Sequence, residues 1–239
     1  MLDDLAALGP FFAVHSHPPG QPPVAPWRPV SELAAQPGPL RERIATVRAV
    51  LAARGGRPVS QVDPRVAASA VHLGLVARLV SPALASAALD QYVDMRLDGL
   101  WGQDEPGGPM PLSVPVPGGT SPVPRDWHHQ LLAGVIAPLT AATSRLISVS
   151  DRVLRGNVAS GINAAAGQVA RSRPGLADQA WEAARALFAS PWLACEPSPP
   201  GPAFRRSSCC LFYRLSPGSR SAICGDCILR RPRTQPGPL

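Results

Sequence analysis

The 239-residue sequence contains no lysine, and all 23 of its basic residues are arginine. Without a lysine amine, the protein has no Walker-type phosphate loop, no Schiff-base catalyst and no lysine general base. The sequence also lacks a GxGxxG motif, which is the usual fingerprint of dinucleotide binding. If this is a redox protein, we therefore expect its electrons to come from a partner.

Aromatic residues are scarce at 5% and charged residues make up only 16%, whereas hydrophobic residues make up 45%. The core must therefore be built mainly from alanine, valine and leucine, which favours helices. The 30 prolines and 21 glycines cluster in residues 18–39, 105–124 and from 197 onward, where we expect loops and linkers. The composition predicts a mainly α protein, with a helical body over residues 1–200 and a small C-terminal segment over 201–239.

Helices are predicted from apolar spacing and from start and stop signals. Asp63 and Pro64 form a good N-cap and first turn, and Ser81 and Pro82 repeat that signal. A Gly-Gly pair ends the clearest amphipathic run. We expect helices over residues 38–54, 64–80, 82–99, 127–142, 144–170 and 175–189, the fifth with a break around Gly156.

One stretch is typical of a strand. Leu112, Val114 and Val116 alternate with other residues between glycine-rich turns, which predicts a short β hairpin around residues 110–118. Because the two prolines in this stretch cannot donate to a sheet ladder, we expect an edge strand.

The N-terminus lacks the features of a secretory signal. Asp3 and Asp4 lie where basic residues are usual, and Gly9 and Pro10 interrupt the apolar stretch. The apolar run over residues 131–143 is too short to span a membrane. We therefore expect a cytoplasmic protein with no transmembrane segment. In that reducing compartment, clustered thiols indicate a metal or catalytic site rather than structural disulfides.

Four of the five cysteines lie within 19 residues near the C-terminus. Cys209 and Cys210 are adjacent, and Cys224 and Cys227 form a CxxC motif after a spacer of 13 residues. Four thiolates can hold zinc or an iron–sulfur cluster. Structural zinc sites usually use two spaced pairs, so the adjacent pair favours an iron–sulfur cluster.

The basic charge of the protein belongs to the same region. Residues 201–239 carry seven arginines and one acidic residue, whereas residues 1–200 balance 16 arginines against 15 acidic residues. An all-cysteine 2Fe–2S site has a charge of about −2 when oxidised, so nearby arginines would stabilise its reduced form. The flanking arginines are Arg205, Arg206, Arg214, Arg220, Arg230 and Arg231. The expected apolar wall of the site is Phe204, Leu211, Phe212, Ile223 and Ile228.

The sequence CCLFYRL followed by CGDCIL resembles the C-terminal signature of the ferric siderophore reductase family, the FhuF-like ferric iron reductases. Two upstream stretches, VARLVSPALA at 76–85 and RVLRGNVAS at 152–160, are similar to weaker internal motifs of that family. The resemblance therefore covers residues 40–230. The spacer between the cysteine pairs is longer than is usual in the family, and we place the insertion in the turn-rich sequence SPGSRS.

The resemblance implies that Cys209, Cys210, Cys224 and Cys227 bind a 2Fe–2S cluster in the segment 201–239. It also implies oxidoreductase activity, the one-electron reduction of Fe(III) in a siderophore with release of Fe(II) in the cytoplasm. The expected partners are a ferric siderophore and an electron-donor protein such as a ferredoxin. We expect no nucleic acid, and peripheral association with a membrane stays open.

Two other functions stay open. A basic tail with a CxxC motif could be a zinc-stabilised nucleic-acid-binding module, although the tail has few aromatic residues for base stacking. The protein could also be a non-catalytic iron–sulfur sensor.

Other polar residues are interpreted without a catalytic role. We expect Cys195 to be a small buried apolar residue, and the histidines at 15, 17, 128 and 129 to lie at the surface or at helix starts. Asp90, Asp94 and Asp98 are expected on one solvated helix face, paired with Arg96 or with arginines of another helix.

Overall fold

The structure, a computed structural model, describes residues 1–105, 108–115, 122–195, 198–216 and 223–229. The helices are α1 (Leu2–Ala6), α2 (Ser31–Ala35), α3 (Pro37–Arg54), α4 (Pro64–Ala88), α5 (Trp127–Leu131), α6 (Ala137–Ile147), α7 (Asp151–Ser172) and α8 (Ala177–Phe188). A π-helical turn, Leu132–Ile136, joins α5 to α6. The strands are β1 (His15–His17), β2 (Arg28–Pro29), β3 (Trp101–Gly102) and β4 (Leu112–Pro115). The predicted mainly α fold with a small β element is confirmed.

Helices α4 and α7 form the centre of the body, and α3 and α8 flank them. Asn157 of α7 bonds to Ser69 of α4, and Gly161 lies against Val76 one to two turns further along. Because both contacts advance in the same chain direction, the two helices run parallel. Side chains of α4 are buried on nearly every side, which is why its sequence reads as apolar all round.

The start of α4 is confirmed as predicted. The Asp63 carboxylate accepts a hydrogen bond from the Arg65 main-chain N–H at 2.9 Å, and Pro64 occupies the first turn. The end of α3 at Arg54 is also confirmed, and Gly56 follows with φ of +58°.

The predicted helix boundary at Ser81 and Pro82 is wrong, because α4 continues through both residues to Ala88. Proline inside a helix costs about 3 kcal/mol. The neighbouring side chains of Leu79 and Leu84 are fully buried, and burial of a leucine contributes about 1.5–3 kcal/mol. Packing around the proline therefore outweighs the local break signal.

The three aspartates after α4 do not share a helix face. The chain leaves the helix after Ala88, and Asp90 takes a left-handed conformation with φ of +54°. The predicted pairing with Arg96 is confirmed for Asp94, whose carboxylate lies 2.7 Å from the guanidinium. All three aspartates therefore lie outside the helices, Asp90 and Asp98 in turns and Asp94 in the irregular stretch between them.

The break expected at Gly156 is also wrong. It lies instead at residues 148–150, where Ser148 has a left-handed φ of +53°, and α7 then runs unbroken from Asp151 to Ser172. Helix α8 confirms the predicted 175–189 segment within two residues.

The predicted strand is present as β4, but it is an inner strand rather than an edge strand. The sheet order is β1-β4-β3-β2, with β4 parallel to β1 and antiparallel to β3. Pro115 is the last residue of β4, so its missing N–H falls at the end of the ladder. The antiparallel partner of β4 is β3, and residues 116–118 of the predicted hairpin lie outside the described residues.

Two helical stretches, Pro64–Ala88 and Trp127–Ile147, have the length and hydropathy of a membrane span. In the first, 78% of the most apolar window is buried inside the protein, as in a core helix; in the second, 39% is buried. The expected lack of a transmembrane segment stays a prediction.

Candidate metal centre

The four clustered cysteines lie on two loops that meet against α4 and α7. The first loop carries Cys209 and Cys210, and the second loop carries Cys224 and Cys227. Cys210 and Cys227 are buried, and Cys209 and Cys224 are half-buried. The Sγ atoms of Cys210 and Cys224 are 3.6 Å apart, so the adjacent pair and the CxxC motif come together across the spacer. We call these four residues the thiol cluster.

The distance between Cys210 and Cys224 is informative. It is much longer than the roughly 2.05 Å of a disulfide, and both residues are free thiols. Two thiolates bound to one tetrahedral ion, each about 2.3 Å from it, lie about 3.8 Å apart. These two sulfurs therefore already have nearly the spacing that a shared metal ion requires.

Cys209 and Cys227 bring the number of thiols to four, which is a suitable donor set, but the four side chains do not have the geometry of a metal site. In the described part of the chain, no group of three or more Cys, His, Asp or Glu side chains has metal-binding geometry. The thiols nevertheless lie close enough to influence one another. The pKa of Cys209 is raised by burial and also by the charges of Cys210 and Cys227. Four partly buried thiols on two loops fit a thiolate-bound zinc ion or iron–sulfur cluster.

Main-chain N–H groups already point at two of the sulfurs. The N–H of Leu211 donates to Cys209 Sγ at 3.3 Å, and that of Leu229 donates to Cys227 Sγ at 3.4 Å. Leu211, which follows the adjacent cysteine pair, has a left-handed φ of +71°. Hydrogen bonds from N–H groups to sulfur stabilise thiolates and tune the potential of a bound cluster.

The Sγ atoms of Cys210 and Cys224 lie within hydrogen-bonding distance, and either thiol can be the donor. The contact with Cys224 is the main cause that lowers the pKa of Cys210 to about 6, with smaller contributions from the Phe212 amide and the Arg206 charge and against the effect of burial. The same contact, together with burial, raises the pKa of Cys224. Cys210 is therefore the thiol best prepared to be a thiolate, the form that binds a metal.

A buried arginine anchors the first loop beneath the thiol cluster. Arg206 is only 2% exposed, and its Nε donates to the Ser208 carbonyl at 2.8 Å. Its Nη2 donates to the Val153 carbonyl at 3.0 Å and to Asn157 Oδ1 at 2.8 Å. Its main-chain N–H donates to the Asp226 carbonyl at 3.0 Å, which joins the two cysteine loops. These acceptors are neutral, so a positive charge remains beside the thiols.

The network continues from α7 to α4 and back to a cysteine. Asn157 Nδ2 donates to both the carbonyl and the Oγ of Ser69 at 3.1 Å. Ser69 Oγ in turn donates to the Cys210 carbonyl at 2.9 Å. Two central helices thus fix the position of the adjacent cysteine pair.

Gly156 allows the first loop to approach α7 closely. A Cβ at this position would overlap the Ser208 hydroxyl and lie 2.9 Å from Arg206 Nη2. Ser208 Oγ also donates to the Arg152 carbonyl at 2.9 Å. The stretch 152–160 is therefore the surface that seats the cysteine loops, and Gly156 serves close packing rather than a helix break.

The CxxC turn is held separately. Ser160 Oγ donates to the Asp226 carboxylate, and Arg205 Nη1 donates to the Gly225 carbonyl at 2.9 Å. Phe204 is buried and packs edge-on against Phe188, with ring centroids 5.6 Å apart. The CxxC turn is thereby fixed to α7 through Ser160 and to the Phe204–Arg205 segment, which in turn packs against α8.

A groove of about 920 Å³ borders the CxxC turn. Its floor is formed by α4 and α7, and residues 8–12 and the C-terminal segment form its walls. Gly225 and Asp226, which lie between Cys224 and Cys227, are part of the wall. The volume is within the usual range for small-molecule sites, about 300–1,000 Å³. A ligand in the groove would touch the turn that carries two of the four thiols.

The predicted surroundings of the cysteines are only partly correct. Phe204 is buried, whereas Ile228 is 48% exposed and leaves the apolar wall open on that side. Arg214 forms an ion pair with Asp63 at 2.8 Å. Cys195 is half-buried rather than buried. Arg220, Arg230 and Arg231 lie outside the described residues.

Sequence reasoning missed His72, which is fully buried in α4. Its Nε2 is 2.9 Å from Thr140 Oγ1, and because that hydroxyl donates to the Ile136 carbonyl, the imidazole is the donor. In the described part of the chain, His72 Nδ1 has no partner. Burial and the charge of Arg206 lower the pKa of His72 to about 3. The available signal is a histidine among the mainly apolar residues of α4.

The four histidines considered from the sequence form no metal site among the described residues. His17 is buried in the sheet, against expectation, with Nδ1 2.8 Å from Ser113 Oγ. His15 packs edge-on against Trp27.

The chain matches no model of a known protein family, and no curated protein sequence matches it.

Proposed function

We propose that the protein is an iron–sulfur ferric siderophore reductase, which delivers one electron to Fe(III) in a siderophore so that Fe(II) is released. The observation that carries this proposal is the position of the thiol cluster. Cys210 and Cys224 bring the two cysteine pairs together beside a groove whose volume suits a small chelate, and Gly225 and Asp226 of the CxxC turn form part of the groove wall. The similarity of the cysteine signature to FhuF-like reductases supports the same reading.

Cys209, Cys210, Cys224 and Cys227 would hold a 2Fe–2S cluster on the segment 201–239. When bound, such a cluster supplies one-electron transfer. Arg206 contributes a buried positive charge that offsets the negative charge of four thiolates. The N–H donors of Leu211 and Leu229 act in the same direction.

The groove would position the chelate for the transfer. Gly225 and Asp226 line the groove. Gly225 directly follows Cys224 and Asp226 directly precedes Cys227, and the Cα atoms of such neighbours are about 3.8 Å apart. The chelated Fe(III) gains one electron from a donor protein such as a ferredoxin and becomes Fe(II). Oxygen ligands hold Fe(II) weakly, so the metal leaves without cleavage of the siderophore. No acid or base from the protein is needed, and the reaction is placed in the cytoplasm.

The metal content of the protein tests this proposal. Anaerobically purified full-length protein should be coloured, contain about two irons per chain and give a paramagnetic signal after one-electron reduction. A colourless preparation with zinc bound, made under iron-replete conditions, would contradict it and favour the zinc-stabilised nucleic-acid-binding module.

A second experiment separates a reductase from a sensor. Reduced protein is mixed anaerobically with several ferric siderophores in the presence of a coloured Fe(II) chelator. A reductase should release Fe(II) from at least one of them, whereas no release from any would favour the sensor.

A further inference from the structure

We propose that the groove beside the CxxC turn selects ferric chelates that carry net negative charge and an apolar portion. The inference rests on the proposed function and adds the chemical class of the substrate. Its basis is the distribution of charge, apolar surface and free space in the groove.

Free space in the groove comes from small residues on the two central helices. Ala70, Gly74 and Ala77 follow one another at helical spacing on the outward stripe of α4, and Gly161 and Ala164 face them from α7. A Cβ added at Gly74 would meet no atom within 4 Å. The floor is therefore open enough to admit a bulky, rigid ligand.

The apolar part of the groove is at its N-terminal wall. Phe11 is 38% exposed and Leu73 is half-buried, and both line the groove with Leu8 and Phe12. An exposed phenylalanine beside a large concave surface is suited to contact the apolar or aromatic part of a ligand.

The charge of the groove is positive. Arg205 lies at the CxxC end, where it bonds to the Gly225 carbonyl, and Arg171 lies at the far end, where it bonds to Gln168 Oε1 at 3.0 Å. Both arginines are exposed, and neither forms an ion pair among the described residues. Among the described residues that line the groove, the acidic one is Asp226, whose carboxylate accepts a hydrogen bond from Ser160. An anionic ligand would find two available guanidinium groups.

The position of Arg205 matters most. A loaded thiol cluster would be anionic, so an anionic chelate placed against it would be repelled unless a cation lay between them. Arg205 is bonded to the turn that forms the shared wall, which is where such a cation is needed. Arg171 is about three helical turns further along α7 than Ser160, so it would contact only the periphery of the chelate.

Gallium(III) complexes test this selection, because gallium has the charge of ferric iron and accepts no electron from the protein. Binding to the cluster-loaded full-length protein is measured by calorimetry, with a tris-catecholate complex, a trianion, and a tris-hydroxamate complex, which is neutral. We expect the trianion to bind at least tenfold more tightly, and its affinity to fall as salt is raised.

Single substitutions then locate the selection. Arg205→Gln should weaken binding of the trianion about tenfold, Arg171→Gln less, and Arg41→Gln on the exposed face of α3 not at all. Gly74→Leu should fill the groove and block both complexes, whereas Gly38→Leu, which also meets no atom within 4 Å, should block neither.

Equal affinity for the two complexes, or a trianion affinity unchanged by Arg205→Gln, would overturn the inference. That outcome leaves the proposed function intact if the same protein contains iron and releases Fe(II). A zinc-loaded, iron-free protein overturns the proposed function instead.

Discussion

At the scale of single residues, the thiol cluster depends on polar side chains that are buried in otherwise apolar surroundings. Arg206, Asn157 and Ser69 form one continuous hydrogen-bonded path from the first cysteine loop through α7 to α4. Removing one member would leave its partners buried without hydrogen bonds, at about 1–3 kcal/mol each.

Asn157→Ala tests this path. The substitution leaves Arg206 Nη2 and the Ser69 carbonyl each without one hydrogen bond, so we expect a loss of about 2–3 kcal/mol in the free energy of unfolding. Urea denaturation measures it. Asn163→Ala is the matched control on the same helix, where the side chain is half-buried and its amide oxygen accepts from the Gly201 N–H, and it should cost about 1 kcal/mol. Equal losses would show that the path has no special role.

His72 predicts how the stability of the protein depends on pH. Its folded-state pKa of about 3 lies below the ordinary value of 6.5. As the pH falls below 6.5, the unfolded chain therefore binds a proton that the folded protein does not bind. Its contribution is complete above pH 6.5 and is lost as the pH falls from 6.5 toward 3.

Between about pH 7.5 and about pH 5.5, His72 should therefore remove about 1 kcal/mol from the free energy of unfolding. His72→Gln keeps a donor for Thr140 and should abolish this part of the pH dependence. Denaturation midpoints at the two pH values measure it, with the exposed His129→Gln as control. An unchanged slope in His72→Gln would contradict the assignment of a buried neutral imidazole.

At the scale of elements, two glycines with opposite surroundings are important. One allows α7 to approach the cysteine loops closely, and the other leaves the groove above α4 open. Gly156 is buried against Ser208 and Arg206, whereas Gly74 faces free space. The same substitution at the two positions should therefore have opposite effects.

Gly156→Ala should destabilise the protein by about 1–3 kcal/mol through overpacking, and it should lower the amount of metal bound per chain. Gly74→Ala should be neutral or stabilise the protein by up to about 1 kcal/mol, because alanine is the better helix former. Thermal denaturation and metal analysis measure both. Normal metal content in Gly156→Ala would argue that the seat of the first loop is not needed for metal binding.

The element scale also shows which structural features local sequence signals can predict. The cap at Asp63 and the end of α3 are correct, because the deciding interactions lie within a few residues along the chain. The boundary at Pro82 is wrong, because burial around Leu79 and Leu84 comes from distant parts of the chain. The strand at Leu112–Pro115 was predicted, but its inner position depends on β1, about a hundred residues earlier.

The candidate site likewise has features that local sequence signals predict and features that depend on contacts between distant parts of the chain. The four thiols follow from their spacing, and the structure does bring Cys210 and Cys224 together. The buried anchoring role of Arg206 could not be predicted, because an arginine in a basic tail looks like any solvated charge. The sequence also contains no local signal for the groove, since small residues on two helices form it only after those helices pack.

At the scale of the whole molecule, the described part of the C-terminal segment packs against the helical body rather than being appended to it. Phe204 and Arg206 are buried against α7 and α8, and Arg57 donates to the Leu215 carbonyl. Metal binding by the segment should therefore stabilise the whole chain, because a ligand that binds only the folded state raises stability by mass action.

Cysteine substitutions test that coupling. Cys224→Ser should prevent metal loading and lower the melting temperature to that of the metal-free protein, whereas Cys195→Ser should leave both unchanged. Metal analysis and thermal denaturation of the two variants are the measurements. If both variants lose metal equally, Cys195 must be added to the ligand set.

A single-turnover experiment tests the central proposal most directly. The protein is reduced by one electron, freed of excess reductant and mixed anaerobically with a ferric siderophore, while its paramagnetic signal and captured Fe(II) are followed together. We expect the signal to disappear as about one Fe(II) per chain is captured. A signal that persists, with no Fe(II) released from chelates of either charge, would contradict a ferric siderophore reductase.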